Sequence, residues 1–137
     1  MSEYRNDQGP PIGFPMPDWQ GCPRPRAEVM QGRLCRLEPI NADAHGSDLW
    51  AAFGRDRDDR NWTYLPYGPF VSQAELCEWI ETSCLGDDPL FFSVIDLASE
   101  AAVGVASYLR IEPAVGVIEV GHIHFSPLMQ GRPIATE

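Results

Sequence analysis

The chain has 137 residues, of which 44% are hydrophobic, and a formal net charge of −10. This length suits one ordinary hydrophobic core, so we expect a single folded domain, and so strong an acidic excess argues against binding to a nucleic-acid backbone. No stretch approaches the roughly 20 consecutive apolar residues that cross a bilayer. The four cysteines form no CxxC pair, so the chain is expected to be a soluble cytoplasmic protein with reduced thiols.

The chain begins with a segment rich in proline and glycine, residues 1–31. Its repeated prolines interrupt any helix or inner strand, which predicts an extended arm ahead of a domain at 32–137. Four apolar side chains would attach this arm to a surface, and a flexible tail is the alternative. These side chains are Ile12, Phe14, Met16 and Trp19.

A strand and a helix are predicted next. Residues 32–39 alternate charged and apolar side chains, as in a strand. Asn41 is suited to cap a helix whose apolar residues recur at helical spacing, and Gly54 is suited to end it.

The segment that follows the predicted helix divides into a charged part and an aromatic part. Residues 55–60, RDRDDR, predict a solvated connection. Residues 61–70 contain four aromatic residues and two prolines, and this composition predicts a rigid aromatic loop.

A second helix has a clear start. Ser72 and Glu75 form a capping box, and Val71 and Leu76 are spaced as a hydrophobic staple across it. Gly86 is the expected end of this helix.

Three strands complete the predicted fold. Residues 90–96, LFFSVID, are apolar enough for a strand covered on both faces. Residues 103–111 and 117–125 read as a hairpin, because a segment with proline and glycine, 112–116, separates two β-branched and aromatic runs. The connections are short, so these strands are expected to be antiparallel, and the fold class is α+β.

Three segments near the end of the sequence resemble one family. EVGH at 119–122, FSP at 125–127 and QGRPIATE at 130–137 resemble the fourth strand and acyl-CoA loop of the GNAT acyltransferase superfamily, in particular its ribosomal-protein N-terminal acetyltransferase branch. The superfamily loop runs Gln or Arg, two residues, Gly, one residue, then Gly or Ala. Gln130 and Ala135 match it, whereas Pro133 has no N–H and stands where the second Gly is expected.

The resemblance implies a GNAT-like fold, a mixed and mainly antiparallel sheet flanked by helices. It also implies acetyl-CoA as acyl donor and a primary amine as acceptor, either a protein N-terminus or a small amine. For the acceptor pocket it implies a wall made by Trp62, Tyr64 and Tyr67, although these rings would equally suit a cap on the core. For the cofactor it implies contacts from Ile123, His124, Phe125, Gln130, Gly131, Arg132, Ile134, Ala135 and Thr136, with the backbone of 123–125 facing the pantetheine arm.

Acyl transfer to an amine requires a group that removes a proton from the amine. Glu119 is the first candidate base if its carboxylate points inward in an apolar setting, and the alternative is an edge charge facing solvent. A regular pleat places His122 and His124 opposite to Glu119. A bulge at Gly121 would reverse the alternation, and the resembled family distorts this strand, so His122 is a second candidate base or an acceptor-binding residue.

Other interpretations of the same residues remain open. His122 and His124 are spaced to share a metal, but no third ligand follows at motif spacing, so no metal is expected. A complete GNAT-like domain would continue past Glu137, so we expect the C-terminal half to be missing, in a fragment, a truncated product or a protomer that completes its sheet as a homodimer. The alternatives to catalysis are an inactive GNAT-like binding or dimerisation module and a binder of small apolar ligands.

Overall fold

Seven strands and two α-helices make up the computed structural model, which describes residues 3–137. The order of elements agrees with the predicted α+β class. The strands are β1 (Tyr4–Arg5), β2 (Pro11–Ile12), β3 (Met30–Gln31), β4 (Cys35–Pro39), β5 (Leu90–Asp96), β6 (Ala101–Glu112) and β7 (Val117–Phe125). The helices are α1 (Ala42–Phe53) and α2 (Gln73–Ser83), and two short 3-10 turns cover Arg60–Trp62 and Pro133–Ala135.

Five of the strands form one antiparallel sheet in the order β3-β4-β5-β6-β7. All seven residues of the central strand β5 are buried, as the apolar run at 90–96 predicts. Both helices contribute to the hydrophobic cluster on one face of the sheet. A smaller cluster on the other face includes Val94, Met129 and Ile134. The predicted mixed fold, a mainly antiparallel sheet flanked by two helices, is confirmed.

Both helices begin at the predicted caps. The Asn41 side chain accepts a hydrogen bond from the Ala44 amide at 2.9 Å, and the Ser72 hydroxyl accepts one from the Glu75 amide at 3.1 Å. These bonds satisfy amide groups that a helix start otherwise leaves unpaired.

Two details of α2 differ from the prediction. Val71 is 88% exposed, so the hydrophobic staple is absent, and its amide instead donates to the Glu75 carboxylate at 2.7 Å. The helix ends at Ser83 with Cys84 as its C-cap, before Gly86 is reached. The expected end at Gly86 was therefore wrong.

The N-terminal arm is tied to the sheet at two places. β1 and β2 form a separate two-stranded sheet, while β3 pairs with β4 and starts the main sheet just before residue 32. Trp19 packs on Gly116, and its indole N–H donates to the Ala114 carbonyl at 2.7 Å, so it attaches the arm to the turn between β6 and β7. The other three predicted anchors, Ile12, Phe14 and Met16, are exposed.

Candidate functional site

The edge strand β7 is irregular at His122. Val105 of β6 pairs with His124 and Ser107 pairs with Gly121, so Ala106 faces two residues of β7 instead of one. His122 has φ of 49°, a left-handed conformation that is strained for a non-glycine residue. The strand therefore has a β-bulge, one position later than the bulge that the sequence allows at Gly121.

The bulge brings Glu119 and the two histidines to one face of the sheet. Phe91, Ser107 and Gly121 are register partners across β5, β6 and β7, so they share a face. Phe91 belongs to the cluster beneath the helices. A Cβ atom built on Gly121 would lie 3.6 Å from the Glu119 carboxylate, which places that side chain on the same face.

Glu119 is partly exposed at this face. Its carboxylate accepts a hydrogen bond from the Arg110 guanidinium at 2.6 Å, and its side chain is 44% exposed. Glu119 thus lies on the face that carries the core cluster, but its setting is not apolar, because β7 is the edge strand and β6 supplies a cation beside it. A partly hydrated carboxylate remains accessible to an incoming amine.

His122 lies close to Glu119 and against two aromatic rings. Its ring centroid is 5.1 Å from that of Phe91 and 5.6 Å from that of Tyr67. Burial lowers the pKa of His122, and the nearby Glu119 carboxylate partly opposes that shift. The shift favours the neutral imidazole, which has a lone pair that accepts a proton.

His124 is buried within the aromatic core. Its ring centroid is 4.0 Å from those of both Phe53 and Trp62. Neither ring nitrogen has a hydrogen-bond partner among residues 3–137. Burial lowers the pKa of His124 to about 4. The side chain of His124 is therefore unavailable to a cofactor, and only its backbone remains a candidate contact.

The three predicted wall residues occupy different environments. Trp62 is buried and packs against Phe53 and Phe70, so it belongs to the core. Tyr67 is partly buried and stacks on His122, which places one of the three rings beside a candidate base. Tyr64 is 97% exposed and stands apart from this cluster.

The loop after β7 is a compact turn and does not start an α-helix within the described residues. The amides of Arg132, Ala135 and Thr136 donate to carbonyls three residues earlier. The amides of Gly131 and Ile134 donate to no described residue. Pro133 takes the first position of the 3-10 turn, where a missing N–H removes no bond.

A depression of about 870 Å³ lies beside this loop. Two guanidinium groups line it, those of Arg33 and Arg132. Arg33 lies 3.5 Å from Glu137 and Arg132 lies 3.5 Å from Asp96, so neither charge is isolated. Of the predicted cofactor residues, four line the depression: Gly131, Arg132, Ala135 and Thr136.

Glu137 closes one side of this depression. Its carboxylate accepts hydrogen bonds from the amides of Arg33, Leu34 and Cys35, which lower the pKa of Glu137 to about 2. The loop after β7 is thereby joined to the turn before β4.

The remaining predicted cofactor residues differ in exposure. Ile134 is buried in the cluster with Met129, and Phe125 packs against that cluster. Ile123 is exposed on the edge strand. The Gln130 side chain donates to the Phe125 carbonyl at 2.7 Å and to the Asn61 side chain at 2.9 Å.

Three residues at this site were missed in the sequence. Arg33 carries no signal beyond its charge. Trp79, which lies 4.4 Å from Tyr67 between ring centroids, packs against the core cluster and has no sequence signature of a site. Asn61 lies 69 positions from Gln130 in the chain, so its bond to Gln130 has no local signature.

Neither a metal centre nor a membrane span appears in the described part of the chain. No group of three or more His, Cys, Asp or Glu side chains there is arranged to hold a metal ion. Within residues 3–137, no helix has the length and apolar character needed to span a membrane.

Comparisons with known proteins show which solved structures this chain resembles. No protein-family model and no curated protein matches the chain. Among solved structures, a GCN5-related N-acetyltransferase from Brucella melitensis matches with a TM-score of 0.84 and 41% identity, over 88% of this chain and 55% of that one. A probable acetyltransferase of the GNAT family from Chromobacterium violaceum matches with a TM-score of 0.77 and 30% identity, over 93% of this chain and 65% of that one.

A more distant structure agrees in fold. The GNAT-family acetyltransferase from Bacillus anthracis matches with a TM-score of 0.61 at 16% identity, over 80% of this chain and 60% of that one. The chain thus spans between 55% and 65% of the length of these three structures. Its structural neighbours are GNAT-family acetyltransferases, and this similarity supports the GNAT superfamily for this chain.

Proposed function

We propose that this chain carries an acetyl-CoA-dependent N-acetyltransferase site, which moves an acetyl group to a primary amine on a protein N-terminus or a small molecule. The observation that supports this most strongly is the bulge at His122 in the edge strand. It places Glu119 and His122 on one face, beside a strand edge that has no strand partner in the described structure. The similar GNAT-family structures support the same reaction class.

The residues after β7 fit a phosphorylated donor. The amides of Gly131 and Ile134 have no acceptor among the described residues. Gly131 lines the same depression as Arg33 and Arg132, each of which lies 3.5 Å from a carboxylate that a phosphate group would have to displace. Amides and guanidinium groups are the donors that bind phosphate oxygens in proteins. The depression, about 870 Å³, lies within the size range of ligand sites, roughly 300–1,000 Å³. Acetyl-CoA, when bound, supplies the activated acetyl thioester.

The chain itself supplies proton acceptors and an aromatic surface. A protonated amine does not attack a thioester, so a base has to remove a proton first. Glu119 accepts that proton directly or through water, because its carboxylate is partly exposed. His122, whose pKa is lowered by burial, is the second acceptor. Tyr67 stacks on His122 and forms the wall next to it.

Two finer assignments accompany the proposal. Within the superfamily we favour the ribosomal-protein N-terminal acetyltransferase branch, because the EVGH and QGRPIATE segments resemble it. We also favour the cytoplasm as the compartment, since the four cysteines are free and a reducing environment keeps them so.

An acetylation assay with a panel of amines tests the proposal. Glu119→Gln keeps the shape of the side chain but removes the base, so kcat should fall by roughly 10²–10⁴-fold. Glu112→Gln is the matched control, because Glu112 is an exposed carboxylate of the same hairpin, at the point where β6 reaches the turn. Equal loss in both variants, or loss in neither, would contradict the assigned role of Glu119.

One observation favours a second candidate, a GNAT-like binding or dimerisation module without catalysis. The amides of Arg132, Ala135 and Thr136 already donate within their own turn and are not free for phosphate. That candidate predicts a stable dimer with no affinity for acetyl-CoA, which sedimentation and calorimetric titration distinguish from the first.

A further inference from the structure

Three polar groups connect the aromatic loop to the end of β7. The Gln130 Nε2 atom donates to the Phe125 carbonyl at 2.7 Å and to the Asn61 Oδ1 atom at 2.9 Å. The Asn61 Nδ2 atom donates more weakly to the same carbonyl at 3.4 Å. Residues 61 and 130 thus meet at the point where β7 ends.

This link uses the full donor capacity of the Gln130 side chain. A glutamine amide nitrogen carries two hydrogens, and both are directed to acceptors of this chain. The backbone amide of Gln130 also has an acceptor, the Ser126 carbonyl at 3.2 Å. Gln130 therefore has no N–H left for a phosphate group, and the predicted direct contact with a cofactor would require the link to break.

Asn61 is itself held in place on its other side. Its backbone amide donates to the Asp56 carboxylate at 2.8 Å. The next residue, Trp62, packs against His124 with ring centroids 4.0 Å apart. A shift of the aromatic loop would therefore carry Asn61 with it and would disturb the acceptor of the Gln130 side chain.

We propose that Asn61 is a positioning residue, which fixes Gln130 and thereby sets the loop 130–136 for the acetyl donor. The inference rests on the proposed function and deepens it. It means that the aromatic loop, on the acceptor side, and the donor loop 130–136 are coupled through the Asn61–Gln130 bond. Asn61 acts through Gln130 and touches neither the donor nor the acceptor.

The variants are chosen to separate this role from a general loss of packing. Asn61→Leu and Gln130→Met keep side-chain volume but remove the link. Asn61→Asp keeps the acceptor atom that Gln130 uses but replaces the weak Nδ2 donor to the Phe125 carbonyl with a carboxylate oxygen. Thr63→Val is the matched control, because its hydroxyl bonds only to Arg60 within the same loop, at 2.7 Å.

The first measurement is hydrogen exchange of the free protein, with no ligand added. Asn61→Leu and Gln130→Met should each raise exchange in peptides covering 126–136, Asn61→Asp should raise it less than Asn61→Leu, and Thr63→Val should leave these peptides unchanged. Unchanged exchange in the first two variants would show that the link does not hold the loop, and would overturn the inference whatever acetyl-CoA does.

The second measurement is calorimetric titration with acetyl-CoA. Loss of one neutral hydrogen bond predicts a rise in Kd of roughly 3- to 10-fold for Asn61→Leu and for Gln130→Met. The double variant should be no weaker than the weaker single variant, and Asn61→Asp should bind acetyl-CoA more tightly than Asn61→Leu. Additive losses, or an unchanged Kd in Asn61→Leu, would reduce the link to a structural contact and refute the positioning role.

The two proposals fail in different ways. If the unaltered chain does not bind acetyl-CoA, the proposed function is refuted and the positioning role with it, while the exchange data still decide whether the link holds the loop. If the unaltered chain binds acetyl-CoA but the variants bind equally well, only the positioning role is refuted.

Discussion

Replacing His124 by phenylalanine should remove a defined part of the pH dependence of folding. The His124 ring is 1% exposed, packs between Phe53 and Trp62, and has no hydrogen-bond partner for either nitrogen among the described residues. Burial without a partner disfavours the charged imidazolium, so the pKa of His124 is lowered from 6.5 to about 4.

The sign and size of the effect follow from these two values. As the pH falls below 6.5, the unfolded chain binds a proton at this histidine while the folded chain does not, so stability is lost. The stability that the neutral, buried His124 contributes to the fold is fully present above pH 6.5. It is lost by the time the pH falls through about 4. The full loss amounts to about 3 kcal/mol, and about 2 kcal/mol of it should occur between pH 7.5 and pH 5.

Urea unfolding at pH 7.5 and pH 5 measures the effect. Other titrating groups contribute equally in the unaltered chain and in His124→Phe, so the comparison isolates His124. Between pH 7.5 and pH 5, the free energy of unfolding of the unaltered chain should fall by about 2 kcal/mol more than that of His124→Phe. His124→Leu covers the case in which the larger phenylalanine overpacks the site. The same pH dependence in all three proteins, or an imidazole that titrates near pH 6.5 by NMR, would refute the reasoning.

Three further substitutions test the packing around the site by chemical unfolding. Gly104→Ala should destabilise the fold by about 1–3 kcal/mol, because its Cβ would lie 3.0 Å from the backbone carbonyl of His124. Gly121→Ala should cost less, since its Cβ meets mainly the flexible end of Leu109 at 2.7 Å, and the reverse order would contradict this packing. Tyr67→Phe should leave the free energy of unfolding unchanged or raise it by up to about 2 kcal/mol, because the removed hydroxyl is buried without a partner. A loss above about 1 kcal/mol would show that this hydroxyl is hydrogen-bonded.

Features fixed by local contacts could be predicted from the sequence. The caps at Asn41 and Ser72 each depend on a bond that spans three residues, and the hairpin of β6 and β7 depends on a short turn. Such contacts are encoded by neighbouring residues, so pattern and propensity were sufficient for them.

Features that depend on distant contacts could not be predicted from the sequence. The Asn61–Gln130 bond spans 69 residues, and the Arg110–Glu119 ion pair depends on the register of the two strands. The position of the bulge depends on the pairing of β6 with both of its neighbours, so the sequence indicated distortion near Gly121 without fixing it at His122. The arm likewise uses Trp19 alone of its four predicted anchors, and the carbonyl to which the Trp19 indole donates, that of Ala114, lies 95 residues away in the chain.

Titration of this chain with acetyl-CoA tests the central claim most directly. If β7 and the loop 130–136 form a site for the donor, binding should release or absorb heat, and ligand at 100 times Kd should stabilise the fold by about 2.7 kcal/mol. Hydrogen exchange should then slow at the Gly131 and Ile134 amides. No heat, no rise in Tm and no change at these amides with acetyl-CoA or CoA would contradict the account.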